Sequence, residues 1–84
     1  MNMYFITFRS VTPAQRGEAL LRKHGVAVSL QRTPRWMEER GCGYCLRLHP
    51  DSVSEALRLL RGAQVAFRKI YRQNPDGSVE EWGA

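Results

Sequence analysis

The amino-acid sequence predicts an α+β fold in which a four-stranded antiparallel sheet carries two helices on one face. Two segments place apolar residues at helical spacing, and four short segments carry alternating apolar or β-branched residues. Turn and capping signals separate these segments, so the predicted elements follow the order β-α-β-β-α-β. This order is the split βαβ, or ferredoxin-like, pattern, and the apolar faces of both helices need the sheet to bury them.

The first strand and helix are predicted in the N-terminal third of the chain. Residues 4–8 are aromatic or β-branched, which favours a strand. Thr12 and Gln15 form a capping box around Pro13, which suits the first position of a helix. Gly25 is expected to end this helix. Its predicted apolar face carries Ala14, Gly17, Leu21 and His24.

The middle of the chain predicts two strands with a short helical segment between them. Residues 26–31 and 44–48 alternate as half-buried strands. Thr33 and Pro34 resemble a second helix start, so residues 35–40 are predicted to form one or two turns before Gly41. Alternation in the later strand puts Cys45 and Arg47 on one face. The opposite face takes Tyr44, Leu46 and Leu48.

The C-terminal third predicts the second helix and the fourth strand. Ser52 and Glu55 form a capping box, and Gly62 is expected to close the helix. Residues 65–71 read as the fourth strand, and residues 74–77 as a turn. Residues 79–82 form either a short fifth strand or a loose tail. We therefore predict one domain over residues 1–73, followed by a turn and a tail or extra strand over residues 74–84.

Composition restricts the class of protein. The chain has 84 residues and 43% hydrophobic content, enough for one small core. No apolar run approaches the roughly 20 residues of a spanning helix, and the N-terminus lacks a secretory signal, so we expect a cytoplasmic protein and no membrane partner. The net charge of +5 fits either an anionic partner, such as RNA, an acidic protein surface or an oxyanion, or an ordinary basic surface.

The two cysteines, Cys42 and Cys45, are the clearest candidates for chemistry. Cys42 has a glycine on each side, and Arg35 and Arg40 lie close to it in sequence. Positive charge favours the thiolate, the form that attacks or binds a metal. A closed zinc site needs four ligands, and neither histidine is well placed to join, so we expect no resident metal and no cofactor. A soft monovalent ion held by both thiolates stays an alternative.

Several short motifs give the chain a resemblance to a known family. They are residues 4–8, residues 19–21 before His24-Gly25-Val26, then Thr33-Pro34-Arg35, Cys42-Gly43 and residues 46–48. The chain resembles the small bacterial family of selenium/sulfur carrier-like proteins. The resemblance implies a thiol that holds sulfur or selenium as a persulfide or selenium adduct, and Cys42 matches the family cysteine. Cys45 departs from the family pattern, so resolving thiol, second metal ligand and core residue all stay open for it.

Our leading hypothesis is a sulfur or selenium carrier rather than an enzyme with turnover. Cys42 would carry the adduct, Arg35 and Arg40 would lower its pKa, and a cysteine desulfurase would be a suitable donor. The rival class is a non-catalytic binding module for RNA or an acidic protein. The aromatic pattern of RNA-binding sheets is absent, so nucleic acid is not the expected partner. The sequence leaves monomer and homodimer open, and sulfur and selenium as well.

Overall fold

The computed structural model of the chain describes residues 3–33 and 43–82, which form two α-helices and a five-stranded antiparallel sheet. The predicted order β-α-β-β-α-β is confirmed, and a fifth strand is added after it. The elements are β1 (Met3–Phe8), α1 (Val11–Lys23), β2 (Val28–Arg32), β3 (Tyr44–Leu48), a 3-10 turn (Pro50–Ser52), α2 (Val53–Gly62), β4 (Ile70–Gln73) and β5 (Val79–Glu81).

The sheet has the strand order β2-β3-β1-β4-β5, and all four neighbouring pairs are antiparallel. The first strand of the chain is therefore the central one. Ile6 of β1 pairs with Leu46 of β3 on one side and with Ile70 of β4 on the other. This register places the apolar positions of three strands at one level, where the helices can cover them together.

The hydrophobic core lies between this sheet and both helices. Alternate residues of β1 and β3 enter it, including Ile6, Phe8 and Leu46, and they meet Leu60 of α2. Gly17 lets α1 approach closely, because a Cβ there would lie 3.2 Å from Leu60 Cδ2 and 3.3 Å from both Leu46 Cδ1 and Phe8 Cζ. The predicted alternation of β3 is correct, since Leu46 and Leu48 belong to this core and Cys45 to a separate cluster.

The four-stranded sheet predicted from sequence is one strand short. β5 pairs with β4, with Glu80 directly opposite Arg72, and these two side chains form an ion pair. The Trp82 backbone N–H then donates to the Ile70 carbonyl at 2.8 Å. The Trp82 ring meets Tyr4 edge-to-face, with centroids 5.2 Å apart. Residues 79–82 thus fold back onto the sheet, because the indole has an aromatic partner there.

The fourth strand begins later than predicted because a bulge interrupts its pairing with β1. The Arg68 N–H donates to the Thr7 carbonyl at 2.7 Å, and the Thr7 N–H donates to the Lys69 carbonyl at 2.8 Å. The Lys69 N–H bonds instead to Thr7 Oγ1 at 3.0 Å. Two residues therefore face one, as in a β-bulge, and regular pairing starts only at Ile70.

The helix ends agree with the sequence in part. α1 starts at Val11, with Ser10 rather than Thr12 as its N-cap, and Pro13 falls within the first turn, where its missing N–H costs nothing. Gly25 ends this helix as predicted, with a φ of 81°. Ser52 is the N-cap of α2 as predicted, although its side chain makes no capping hydrogen bond. α2 ends at Gly62 as predicted, and Gln64, two residues later, has a left-handed backbone with a φ of 58°.

Among residues 3–33 and 43–82, neither helix combines the length and the apolar character that crossing a membrane requires.

Candidate functional site

The predicted site residues divide into two groups. Cys42, Arg35 and Arg40 lie outside the described residues, as do the helical turns predicted over 35–40 and the stop predicted at Gly41. Cys45 lies in β3 and is described fully. The roles predicted for Cys42, Arg35 and Arg40 therefore stay predictions, while the surroundings of Cys45 and of the residues flanking 34–42 are observed.

Thr33 and Gly43, which flank that segment, are joined in the sheet. The Thr33 N–H donates to the Gly43 carbonyl at 3.0 Å, which extends the β2–β3 pairing one step beyond Arg32 and Tyr44. Gly43 has a φ of 154°, a value that its lack of a Cβ permits. The chain thus leaves the sheet after Thr33 and rejoins it at Gly43, immediately after Cys42, at the same end of the sheet.

Cys45 is a free thiol that is fully buried. It lies on the sheet face opposite the helices, between Thr7 of β1 and Gln31 of β2. There it forms a small second apolar cluster with Phe5, and Met3 and Tyr71 pack around the two. The side chain of Cys45 therefore has the surroundings of a core residue.

Burial raises the pKa of the Cys45 thiol to about 11, and the Thr33 hydroxyl near the sulfur lowers it only partly. Thr33 Oγ1 is itself buried and makes no regular hydrogen bond within the described residues, so we regard its effect on the sulfur as weak. At neutral pH about one Cys45 in ten thousand is then a thiolate. A thiol in this state is a poor nucleophile and a poor metal ligand.

Cations of the described residues gather at the end of the sheet where Thr33 and Gly43 lie. Arg32 is exposed at the end of β2, and Arg9 is exposed directly after Phe8, which pairs with Tyr44. Sequence reasoning missed Arg9, because it is far from the cysteines along the chain and only the β1–β3 register brings it to this end. Arg47, in contrast, pairs with Phe5 further along the strands.

Neither histidine belongs to the cluster around Cys45, the cysteine that the structure describes. His24 was predicted to lie on the apolar face of α1, but it is exposed as the C-cap of this helix. The helix dipole favours positive charge at this end. His49 is exposed before the 3-10 turn. Within residues 3–33 and 43–82, no three His, Cys, Asp or Glu side chains come close enough together to hold a metal ion.

Comparison with known protein families gives a match over residues 3–72 to the family described as "Putative Se/S carrier protein-like". The chain belongs to this family. The match includes both cysteines and the four strands that were predicted, and it stops before the turn that leads to β5. No curated protein and no solved structure matches the chain.

For this Se/S carrier-like protein, the burial of Cys45 accounts for a cysteine at a strand position where the resemblance implies an apolar residue. Free cysteine behaves as a small hydrophobic residue when it is buried. The contacts of Cys45 with Phe5 are of that kind. Packing alone is therefore sufficient to explain its presence.

Proposed function

We propose that the chain carries sulfur or selenium on the thiol of Cys42, as a persulfide or the corresponding selenium adduct. The observation that carries this proposal is the family match over residues 3–72, which include Cys42. The burial and the raised pKa of Cys45 also support the proposal. With a pKa near 11 and no exposed surface, Cys45 leaves Cys42 as the thiol suited to react at neutral pH.

Loading follows the chemistry of thiol–disulfide exchange. The Cys42 thiolate attacks the terminal sulfur of a persulfide on a donor protein, such as a cysteine desulfurase. A new sulfur–sulfur bond forms at Cys42, the sulfur–sulfur bond of the donor breaks, and the donor cysteine leaves as its thiolate. The electron count is unchanged, so the step needs no oxidant, reductant or metal.

Positive charge would favour both the attacking thiolate and the loaded anion. Arg35 and Arg40 are the neighbours of Cys42 in sequence, and we propose that they lower its pKa. Arg9 and Arg32 add positive charge at the end of the sheet where Thr33 and Gly43 flank the segment that contains Cys42. An acidic surface on the donor would be attracted to the same end.

The role of Cys45 in release is a separate question. As a resolving thiol, its thiolate would attack the Cys42 sulfur, expel hydrosulfide and leave a Cys42–Cys45 disulfide, so that the pair supplies two electrons to the released sulfur. The small thiolate fraction of Cys45 makes this route slow at neutral pH. We therefore propose that Cys45 is dispensable for loading, and that in a folded variant its replacement slows release only as far as this route contributes.

Intact-mass measurement after incubation with a cysteine desulfurase and cysteine tests the proposal. We expect the wild type and Cys45→Ser to gain about 32 Da, one sulfur atom, and Cys42→Ser to gain nothing. The two serine variants are matched controls for each other. Loading of Cys42→Ser but not of Cys45→Ser would reverse the assignment. Stoichiometric zinc in the purified wild type would replace the carrier function with a metal site.

A further inference from the structure

Two threonine side chains lie near Cys45 on the face of the sheet without helices. Thr7 of β1 is directly opposite Cys45 on one side, and Gln31 of β2 is opposite it on the other. Thr33 follows Gln31 by two residues in the same extended pairing, so alternation puts its side chain on the face that holds the sulfur. Thr33 and Cys45 are therefore diagonal neighbours on adjacent strands, and the hydroxyl of Thr33 acts on the sulfur.

The hydroxyl of Thr7 is already used by the backbone. It donates to the Lys69 carbonyl at 3.2 Å and accepts a hydrogen bond from the Lys69 N–H at 3.0 Å. A hydroxyl has a single proton to donate, and the one on Thr7 is given to the bulge before β4. Thr7 is therefore not available as a donor to the sulfur of Cys45.

The hydroxyl of Thr33 is buried beside the sulfur without such a commitment. Its Oγ1 makes no regular hydrogen bond within residues 3–33 and 43–82. A buried hydroxyl in this state is costly for a folded protein, so its presence calls for an explanation. The Thr33 N–H is bonded to the Gly43 carbonyl at 3.0 Å, and a β-branched side chain has few rotamers, so the hydroxyl is held in place.

The contact between Thr33 and Cys45 is weak while the sulfur is neutral, because a thiol is a poor hydrogen-bond acceptor. A thiolate is a charged acceptor, and charge-assisted hydrogen bonds are roughly twice as strong as neutral ones. Burial raises the pKa of Cys45 and the Thr33 hydroxyl lowers it, which is the sign expected of a donor to the anion.

The ionisable side chains on the same face lie around this pair of residues. Tyr71 of β4 packs against the cluster of Phe5 and Cys45, and Arg47 of β3 is exposed two residues beyond the sulfur. Glu81 of β5 is opposite Tyr71, exposed, and ion-paired with Lys69 at 3.3 Å. A test of Thr33 must therefore be separated from the effects of these charges.

We propose that Thr33 is a positioning residue for Cys45, and that its hydroxyl donates a hydrogen bond to the sulfur once that sulfur is negatively charged. In the release route, solvent hydroxide takes the Cys45 proton and the thiolate attacks the Cys42 sulfur. The bond between the Cys42 sulfur and the carried sulfur breaks, and hydrosulfide leaves with the electron pair. The role of Thr33 in release rests on the proposed carrier function, whereas its role in the ionisation of Cys45 does not.

The Cys42→Ser variant leaves Cys45 as the one thiol of the chain, so its ionisation can be followed without any carried sulfur. Cysteine that is isotope-labelled at Cβ reports the thiolate fraction in nuclear magnetic resonance spectra between about pH 8 and 11. In this background Thr33→Val should lower the thiolate fraction at a given pH several-fold, because valine has nearly the same shape and no donor. Thr33→Ala should lower it in the same way, and Thr33→Ser should restore it.

Thr7→Val is the matched control, since it removes the threonine hydroxyl on the other side of Cys45. It should lower the stability of the fold, because two bonds to Lys69 are lost, yet leave the titration of Cys45 unchanged. Arg47→Gln removes an exposed charge on the same face and should also change the titration much less than Thr33→Val. Thr33→Val loses no regular hydrogen bond within the described residues, so at neutral pH it should unfold at the parent's denaturant concentration or above it.

The chain with both cysteines tests the part that Thr33 plays in release. Thr33→Val should gain sulfur as the wild type does. The part of hydrosulfide release that depends on Cys45, measured against Cys45→Ser at about pH 9, should be several-fold slower in Thr33→Val. Thr33→Ser should release sulfur at nearly the rate of the wild type.

An unchanged titration of Cys45 in the folded Thr33→Val and Thr33→Ala variants would overturn the proposal. A Thr33→Ser variant that behaves like Thr33→Val would also overturn it, since the hydroxyl would then have no effect. Equal effects of Thr7→Val and Thr33→Val would indicate a change in burial instead of a lost donor. Failure of the wild type to gain sulfur would remove the carrier function and the role in release, and the titration of Cys45 would still decide the rest.

Discussion

The buried thiol of Cys45 has a consequence for stability that can be measured without any partner. Its pKa rises from an ordinary value near 9 to about 11 in the folded chain. Between these two pH values the unfolded chain loses the thiol proton and the folded chain keeps it. The contribution of Cys45 to stability is therefore constant below about pH 9 and falls as the pH rises towards 11.

We expect the free energy of unfolding of the wild type to fall by about 2–3 kcal/mol over this window through Cys45 alone, at roughly 1.4 kcal/mol per pH unit. Cys45→Ala should lack this part of the decline, although its stability at neutral pH will also be lower because a buried group is lost. Urea denaturation from pH 8 to 11 with both proteins gives the difference. Parallel curves would mean that Cys45 ionises normally and is not buried as described.

At two glycines near helix ends, backbone conformation decides whether a substitution by alanine raises or lowers stability. Nothing lies within 4 Å of the Cβ position at either Gly25 or Gly62, so contacts do not distinguish them. Gly25 has a φ of 81°, whereas Gly62 is the last residue of α2. A side chain is strained in the left-handed region and is tolerated in a helix.

We therefore predict opposite signs for the same substitution. Gly25→Ala should lower the free energy of unfolding by about 1–2 kcal/mol. Gly62→Ala should raise it by at most about 1 kcal/mol, since alanine restricts the unfolded chain and favours the helix. Thermal or urea unfolding of the two variants provides the measurement. A loss of equal size in both would show that space, and not backbone conformation, limits these positions.

A contact between residues far apart in sequence connects the C-terminal end of the described chain to the central strand of the sheet. The edge-to-face pair of Trp82 and Tyr4 fastens β5 across β4 to the central strand, and the Trp82 N–H adds a bond to Ile70. We expect Trp82→Ala to lower the free energy of unfolding by about 1–3 kcal/mol.

Trp82→Phe keeps an aromatic ring at this position, so its free energy of unfolding should fall clearly less than that of Trp82→Ala. Chemical denaturation compares the two variants with the wild type. If Trp82→Ala unfolds at the same denaturant concentration as the wild type, the contact between the Trp82 and Tyr4 rings contributes nothing to the stability of the domain.

Local signals in the sequence were enough for much of this fold. The alternation of residues 44–48, the stop at Gly25 and the start at Ser52 each depend on a few neighbouring residues, and all three are correct. The bulge opposite Thr7 could not be predicted, because it depends on a pairing between β1 and the approach to β4. The same holds for the ring contact that makes residues 79–81 a strand.

The sequence could identify those residues of the candidate site that are neighbours in sequence, but not those that the fold brings together. Cysteines and arginines near each other in sequence were recognised, whereas Arg9 was missed because only the β1–β3 register brings it to the end of the sheet where Thr33 and Gly43 lie. The full burial of Cys45 was also missed. Alternation placed it on the face without helices, and among the described residues Phe5, Met3 and Tyr71 pack around it there.

The central position of β1 sets the order in which this protein can fold during synthesis. Met3–Phe8 is made before the other strands of the sheet, and its two partners, β3 and β4, both come from the second half of the sequence. During translation β1 therefore has no strand partner until β3 has been synthesised, and it lacks its second partner until β4 follows. Pairings between such distant segments also slow folding. Binding by a chaperone in this interval would protect the nascent chain from aggregation.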